Sequence, residues 1–443
     1  MKKSIVVLLV IAAIIVLISP GIIGRIAEES VESNLQWAAD ENKGFVVTSE
    51  HFDRGWFSSQ GRHRVDIRDP EIRGALAVIA GRDPADGDPT LVIDTRIDHG
   101  LIPVTSMGRA EGSLVPGLGR AISTLSIEYP DGHAVPVPGT VYSNIGLNGV
   151  LTANYIVEAG SVEADGSTAS WGDADIELAT DHTAQSFAIE GVVDSLTVSD
   201  AGDTLRLGRT TFSGDQRPSR FGITVGDFDI EVASVAVEEA GVETYRLGNV
   251  SFSGDSDIVG ERVNGDVRLG IQGLTIPGYG ESDFDVAMRF TGVDGAALGQ
   301  MVRKLEDAGD DADSQELQLL LAEDLERLVA EGFELHFDRF DFTLPQGPVS
   351  LKMRFTVDES DADGFDLTSL LMTLDAEADL SASEGFVDHA MAMNPDAGAI
   401  IGMGYLRKNG DVYEMRAEYA KGLLTINGAP MPIPLGAPTP ATD

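Results

Sequence analysis

Residues Phe333–Leu344 read FELHFDRFDFTL. Phe333, Leu335 and Phe337 alternate with polar residues; Phe340, Phe342 and Leu344 then alternate again, one residue out of phase. Successive side chains of a strand point to opposite faces, so period-two alternation marks a strand with one face buried and one wet. A one-residue slip inside such a run is what a β-bulge produces, and a bulge bends the strand that carries it. The stretch therefore predicts a curved antiparallel sheet. The same alternation runs through Phe284, Val286, Met288 and Phe290, and through Val349, Leu351, Met353, Phe355 and Val357. It recurs over Leu370, Met372, Leu374, Ala376, Ala378 and Leu380. Ile230 and Val232, followed by Val235 and Val237, shift phase in the same manner and predict a second bulge.

Composition agrees with many short strands joined by tight turns. Of 443 residues, 50 are Gly, only 6% are aromatic, 43% are hydrophobic and 23% charged. This is the balance of a folded chain, and the Gly content favours a mainly β architecture with a few helices over a helical bundle. Acidic residues outnumber basic ones 72 to 31, for a net charge of −41. Such a surface repels phosphate backbones, so nucleic acid is excluded as an expected partner. It reads as a solvated acidic face suited to salty surroundings, where counterions screen self-repulsion. There is no cysteine, which rules out disulfides, thiol catalysis, cysteine-bound zinc and a lipidated N-terminal cysteine.

The chain opens MKKSIVVLLVIAAIIVLISPGIIGRI, with Lys2 and Lys3 ahead of an apolar run and no acidic residue before Glu28. Residues 4–23 are uncharged and just long enough to cross a ~30 Å hydrocarbon core as a helix. The run Ile5–Ile18 also suits a signal peptide, and Ser19-Pro20-Gly21 offers small residues for cleavage after Gly21. Ile22 and Ile23 prolong the apolar segment and Pro20 disfavours cutting, so an uncleaved anchor is the preferred reading. The lysines hold its N-terminus in the cytoplasm and place the body on the far side of the membrane. Residues 25–40 are expected to extend the anchor as an amphipathic helix, with Ile26, Val31, Leu35 and Ala38 on one side. The expected organisation is an anchor over 1–26, an exported β-rich body over 27–430 and a flexible Pro-rich tail over 431–443.

Within the body, Leu205-Arg206-Leu207-Gly208 with Phe212-Ser213-Gly214-Asp215 recurs forty residues later as Tyr245-Arg246-Leu247-Gly248 with Phe252-Ser253-Gly254-Asp255. Two copies of strand–turn–strand are expected, laid side by side. A helical pair is expected near 296–331. Leu298, Met301, Val302 and Leu305 form one stripe; Leu317, Leu320, Leu321, Leu325 and Leu328 form another beyond the acidic loop Asp307–Asp313. Asp313 and Glu316 offer a cap for the second helix, and Gly332 its end.

Motifs of known chemistry are scarce. His51, His63, His99, His133, His182, His336 and His389 are scattered, with no HExxH and no pair at ligand spacing. Ser58 and Ser59 follow Trp56-Phe57 in a context unlike a nucleophile elbow; Trp56 and Phe57 read as core anchors of a strand. Asp358–Thr368 (DESDADGFDLT) loosely matches a calcium loop, but its twelfth position is Leu370 rather than a bidentate Glu, so an acidic turn is the better reading. Nucleotide-binding glycine loops are absent. No residue is assigned to catalysis, to a cofactor or to a metal.

Four motifs in order carry a family resemblance. They are His51–Ser59 (HFDRGWFSS), Asp98-His99-Gly100, Phe340–Gly347 (FDFTLPQG) and Gly422–Gly428 (GLLTING). With the N-terminal anchor, they resemble the YdgA-like family of bacterial inner-membrane-anchored envelope proteins, although Leu101 stands where that family often has Pro. The resemblance implies a single-pass inner-membrane protein with a β-rich periplasmic body, and no catalytic residues. The expected function is non-enzymatic: a lipid held on an apolar groove, or another envelope component docked on the surface. The alternative is a periplasmic hydrolase using paired carboxylates or an unrecognised Ser and His.

Overall fold

The computed structural model describes residues 45–54, 58–68, 73, 87–99, 119–146, 150–164, 167–180, 186–200, 202–276, 280–308, 314–359, 372–394 and 397–431. The expected anchor, its amphipathic extension, Trp56 and Phe57, Asp313, most of the Asp358–Thr368 segment and the tail beyond Met431 lie outside them. Among the described residues no helix is long and apolar enough to cross a membrane. The described chain is mainly β, with 26 strands, antiparallel pairing and four helices. It divides into two compact units. One reaches Gln216 and includes Ile230–Thr244; the other takes Arg217–Asp229 and everything from Tyr245.

In the first unit β1 (Phe45–Arg54), β2 (Ser58–Ile67), β3 (Thr90–His99), β4 (Gly119–Glu128), β5 (Ala134–Ile145) and β6 (Leu151–Val157) form a meander. β7 (Gly160–Ala164), β8 (Ser167–Trp171), β9 (Ala174–Thr180), β10 (Phe187–Val193), β11 (Leu196–Asp200) and β12 (Asp203–Leu207) follow. β9 pairs with β6 and β10, while β8 pairs with β7 and β11. Burial alternates through β2, β4, β6 and β9, and the inner side there is sealed: Val65, Leu91 and Ile127, neighbours across three strands, are all 0% exposed. A bulge in β5 is held from inside, where the Tyr155 hydroxyl donates to the Pro138 carbonyl. Burial pushes that phenol up to about 12.

The repeat seen in the sequence is a repeated strand break. β12 is followed, after Gly208-Arg209, by β13 (Thr210–Pro218); β14 (Thr224–Val232) is followed, after Ala233-Ser234, by β15 (Val235–Glu239). Gly208 N–H donates to the Ser234 carbonyl and Ala233 N–H to that of Arg209, both at 2.8 Å. The same reciprocal pair joins Gly172 to Ser195 and Asp194 to Asp173, between β8/β9 and β10/β11. β16 (Val242–Leu247) is the second copy of β12, and β17 (Val250–Val259) that of β13. Between them Gly248-Asn249 makes the same bridge to Gln272, a residue of β18 (Arg262–Ile276). The phase shift between Val232 and Val235 is therefore not the bulge that the alternation predicts. Both events cost one residue of phase, but here the strand ends and its successor takes a different partner, β12.

In the second unit β17, β18, β19 (Gly280–Asp294), β20 (Phe333–Leu344), β21 (Gly347–Val357) and β22 (Leu374–Ser383) pair in chain order. Helices α1 (Gly295–Ala308) and α2 (Ser314–Glu331) connect β19 to β20, as the two leucine stripes predict. Asp294, buried, accepts from the Ala297 N–H at 2.8 Å and caps α1, a cap the sequence reading missed. Gly332 ends α2 at φ 71°, where a Cβ would stand 2.7 Å from the Val357 carbonyl oxygen. β22 is shorter than its alternation predicts: Met372 and Thr373 are helical and pairing starts at Leu374. After β22 come α3 (Glu384–Met393), α4 (Ala397–Gly402), β23 (Arg407–Asn409), β24 (Val412–Ala420), β25 (Leu423–Ile426) and β26 (Ala429–Met431). β24 pairs directly with β22, so α3 and α4 are an excursion between neighbouring strands.

Candidate functional site

The bulge predicted in FELHFDRFDFTL is present. Phe337 pairs with Met288 and Phe340 with Val286 on one side, and with Met353 and Leu351 on the other, so Asp338 and Arg339 together oppose the single residues Ala287 and Lys352 and the bulge adds one residue. Asp338 and Arg339 are exposed on the wet side, where Asp338 meets Arg289 at 3.0 Å and Arg339 meets Asp285 at 2.6 Å. By absorbing the slip there, the bulge keeps every aromatic residue of β20 on the same apolar face.

That face is the most distinctive surface of the second unit. In register, the row Leu269–Val286–Phe340–Leu351–Leu380–Met415 crosses six strands, a span of ~24 Å at the usual inter-strand spacing. Beside it runs Val267–Met288–Phe337–Met353–Ala378–Ala417. Every residue of both rows is half-buried, and Phe252, which continues the first row on β17, is 39% exposed. In the first unit the rows of β2, β3 and β4 are sealed, while Ala169–Val198–Leu205–Val237, across β8, β11, β12 and β15, is half-buried too. Among the described residues a cover packs on one end of the second unit's face. There Phe386, Val387 and Met391 of α3, with Ile401 and Leu406, pack on Phe342, Val349, Ala382 and Tyr413. Ser383 caps α3 by accepting from the Phe386 N–H at 3.3 Å. Phe284, Phe340 and Phe342 stack edge-on or tilted at 5.0–5.8 Å, giving the floor a fixed aromatic ridge. Met288, Met353 and Met415 supply adaptable thioether surface around it.

The residues singled out for chemistry do not converge. Ser59 is buried on the inner side of β2, and His63 lies four residues further along the same strand, ~13 Å away and beyond hydrogen-bond reach. His63 is 1% exposed, and neither ring nitrogen has a hydrogen-bond partner. Desolvation lowers its pKa, with the nearby Asp94 carboxylate opposing the shift. His51 pairs with Asp53 at 2.8 Å in the open. His336 bonds Glu334 at 2.8 Å, and this bond, helped by Arg354, holds the Glu334 carboxyl below its usual range. A general acid needs the opposite shift. The side chain of His99, and all of His182, lie outside the described residues. Among the described residues no group of three or more His, Asp or Glu side chains could hold a metal ion.

The sequence signalled the apolar face but not its openness. Comparison with curated proteins and with solved structures finds no match. Residues 1–434 match the model of a bacterial protein family of unknown function (DUF945), and the chain belongs to that family.

Proposed function

We propose that this protein is a non-enzymatic, single-pass inner-membrane protein of the bacterial envelope. On this reading residues 4–23 anchor it, the body is periplasmic, and the open face of the second unit holds the acyl part of a lipid. YdgA-like membership within the family is part of the same reading. The observation that carries it is a contrast within one chain. The alternation of β2, β3 and β4 is sealed, with Val65, Leu91 and Ile127 at 0% exposure, while that of six strands of the second unit is left half-open. Contiguous exposed apolar surface of that extent is costly in water and marks a binding groove. Acyl chains suit it because the rows offer width and dispersion contacts and no convergent polar groups.

The test is direct. The full chain, purified in an amphipathic polymer, is expected to carry co-purified lipid by mass spectrometry and to release it to a fluorescent fatty acid. A chain that carries no lipid and takes up no fatty acid has no such groove. Topology is read by a periplasm-active reporter fused after Asp443; activity is expected, and a signal from a cytoplasm-only reporter refutes the orientation.

A further inference from the structure

We infer that Asn409 is a site of spontaneous covalent modification, where the side-chain amide closes onto the backbone nitrogen of Gly410 and ages to aspartate and isoaspartate. The fold protects the comparable residues Asn264 and Asn427. Asparagine followed by glycine is the pair most open to this ring closure, because glycine has no side chain to obstruct the approach to its own nitrogen. The chain contains four such pairs: Asn148-Gly149, Asn264-Gly265, Asn409-Gly410 and Asn427-Gly428. The first lies outside the described residues.

The other three are held very differently. Asn427 has φ 51°; its Nδ2 donates to the Gly404 carbonyl at 3.1 Å and the Tyr405 carbonyl at 2.9 Å, and its Oδ1 accepts from the Arg416 N–H at 2.9 Å. The half-buried Asn264 donates from Nδ2 to Asp257 at 3.1 Å and accepts at Oδ1 from the Gly292 N–H at 3.0 Å. Its neighbour Gly265 is packed in place: a Cβ there would stand 2.7 Å from the Phe290 ring and 2.8 Å from the Asp255 carbonyl oxygen. Asn409 is exposed, and its side chain makes one hydrogen bond, from Nδ2 to Glu414 at 3.1 Å. It ends β23 opposite Val412, so the reacting nitrogen opens the two-residue turn Gly410-Asp411. Gly410 has φ 65°, and a Cβ on it would meet nothing within 4 Å. The amide carbon can therefore swing onto that nitrogen once a single solvent-exposed bond is given up.

In the reaction the Gly410 nitrogen loses its proton to solvent and bonds to the Asn409 side-chain carbon. The bond from that carbon to Nδ2 breaks, and Nδ2 takes a proton from solvent and leaves as ammonia. Water then opens the cyclic imide at either carbonyl. One opening gives aspartate; the other routes the main chain through the former side chain and gives isoaspartate. Aspartate places a carboxylate beside Glu414, where the amide had donated. Isoaspartate adds a methylene to the main chain of a three-residue strand and shifts its register against β24.

The full chain, purified in an amphipathic polymer, is aged at mildly alkaline pH, folded in one sample and unfolded in urea in another. Each is digested in acid, where ring closure is slow, and the peptides are read by mass spectrometry with fragmentation that separates aspartate from isoaspartate. In the folded chain conversion at 409 is expected to run about tenfold or more faster than at 264 and 427, the scale set by their one or two additional hydrogen bonds. In urea the three rates are expected to converge. Equal rates in the folded chain overturn the inference. So does an order of rates that survives in urea, which would assign it to sequence neighbours rather than to the fold.

Discussion

Gly208 donates its backbone N–H to the carbonyl of Ser234 at 2.8 Å, and a Cβ on Gly208 would stand 2.5 Å from the Ser234 hydroxyl oxygen. A methyl group there would crowd both that hydroxyl and the Ser234 backbone nitrogen, 3.1 Å away. Gly208→Ala is expected to lower stability by about 1–3 kcal/mol, as overpacking does. Gly402→Ala, which meets nothing within 4 Å, is expected to stay within about 0.5 kcal/mol. Urea midpoints of the two variants decide this; equal midpoints would show that the break relaxes freely.

Lys304 joins the two helices. Its ammonium lies 2.6 Å from Asp324 on α2 and also donates to the Leu320 carbonyl at 3.0 Å, while Asp324 itself is buried. Lys304→Met leaves that carboxylate without its cation in a dry setting and is expected to cost about 3 kcal/mol. The paired change Lys304→Met with Asp324→Leu should recover most of the loss, because the desolvation penalty goes with the charge. Thermal melts of the single and double variants check it; a double variant no better than the single would deny the pairing.

His63 makes stability depend on pH. Its folded-state pKa lies below the 6.5 of an exposed imidazole, so on descending through that value the unfolded chain takes up a proton that the folded chain refuses. The stability that neutral His63 confers is therefore complete above pH 6.5 and is lost as pH falls below it, toward the depressed folded pKa. His63→Leu is expected to flatten the change in urea midpoint between pH 7.5 and 5.5. An unchanged slope would assign the acid sensitivity to other groups.

What was legible in the sequence follows from the range of the signals. The alternation in β19, β20 and β21 and the bulge at Asp338-Arg339 were legible because side-chain period is a local property. The break between Val232 and Val235 was misread because phase is local but partner choice is not; only the hydrogen bonds of Gly208 and Ala233 distinguish the two events. The Asp294 cap escaped because Asp294 ends a long strand, where an Asp reads as a wet-face residue. The openness of the face behind Phe340 and Met353 was illegible for a deeper reason. Alternation tells which side of a strand is apolar and carries no information about what, if anything, lies on it.

That last point yields a decisive pair of substitutions. Leu91 of the first unit, 0% exposed between Val65 and Ile127, and Met353 of the second, half-buried, both lie on the apolar side of their strands. A carboxylate at Met353 keeps contact with water, so Met353→Glu should cost about 1 kcal/mol. At Leu91 the same change buries an unpaired charge and should prevent folding. Met353→Glu should at the same time weaken fatty-acid uptake about tenfold or more, since a single desolvated carboxylate removes at least the ~1.4 kcal/mol that one decade represents. A folded Met353→Glu protein with impaired uptake fits an occupied groove. A variant that unfolds as completely as Leu91→Glu would mean that the face is closed in solution, and the lipid reading would fall with it.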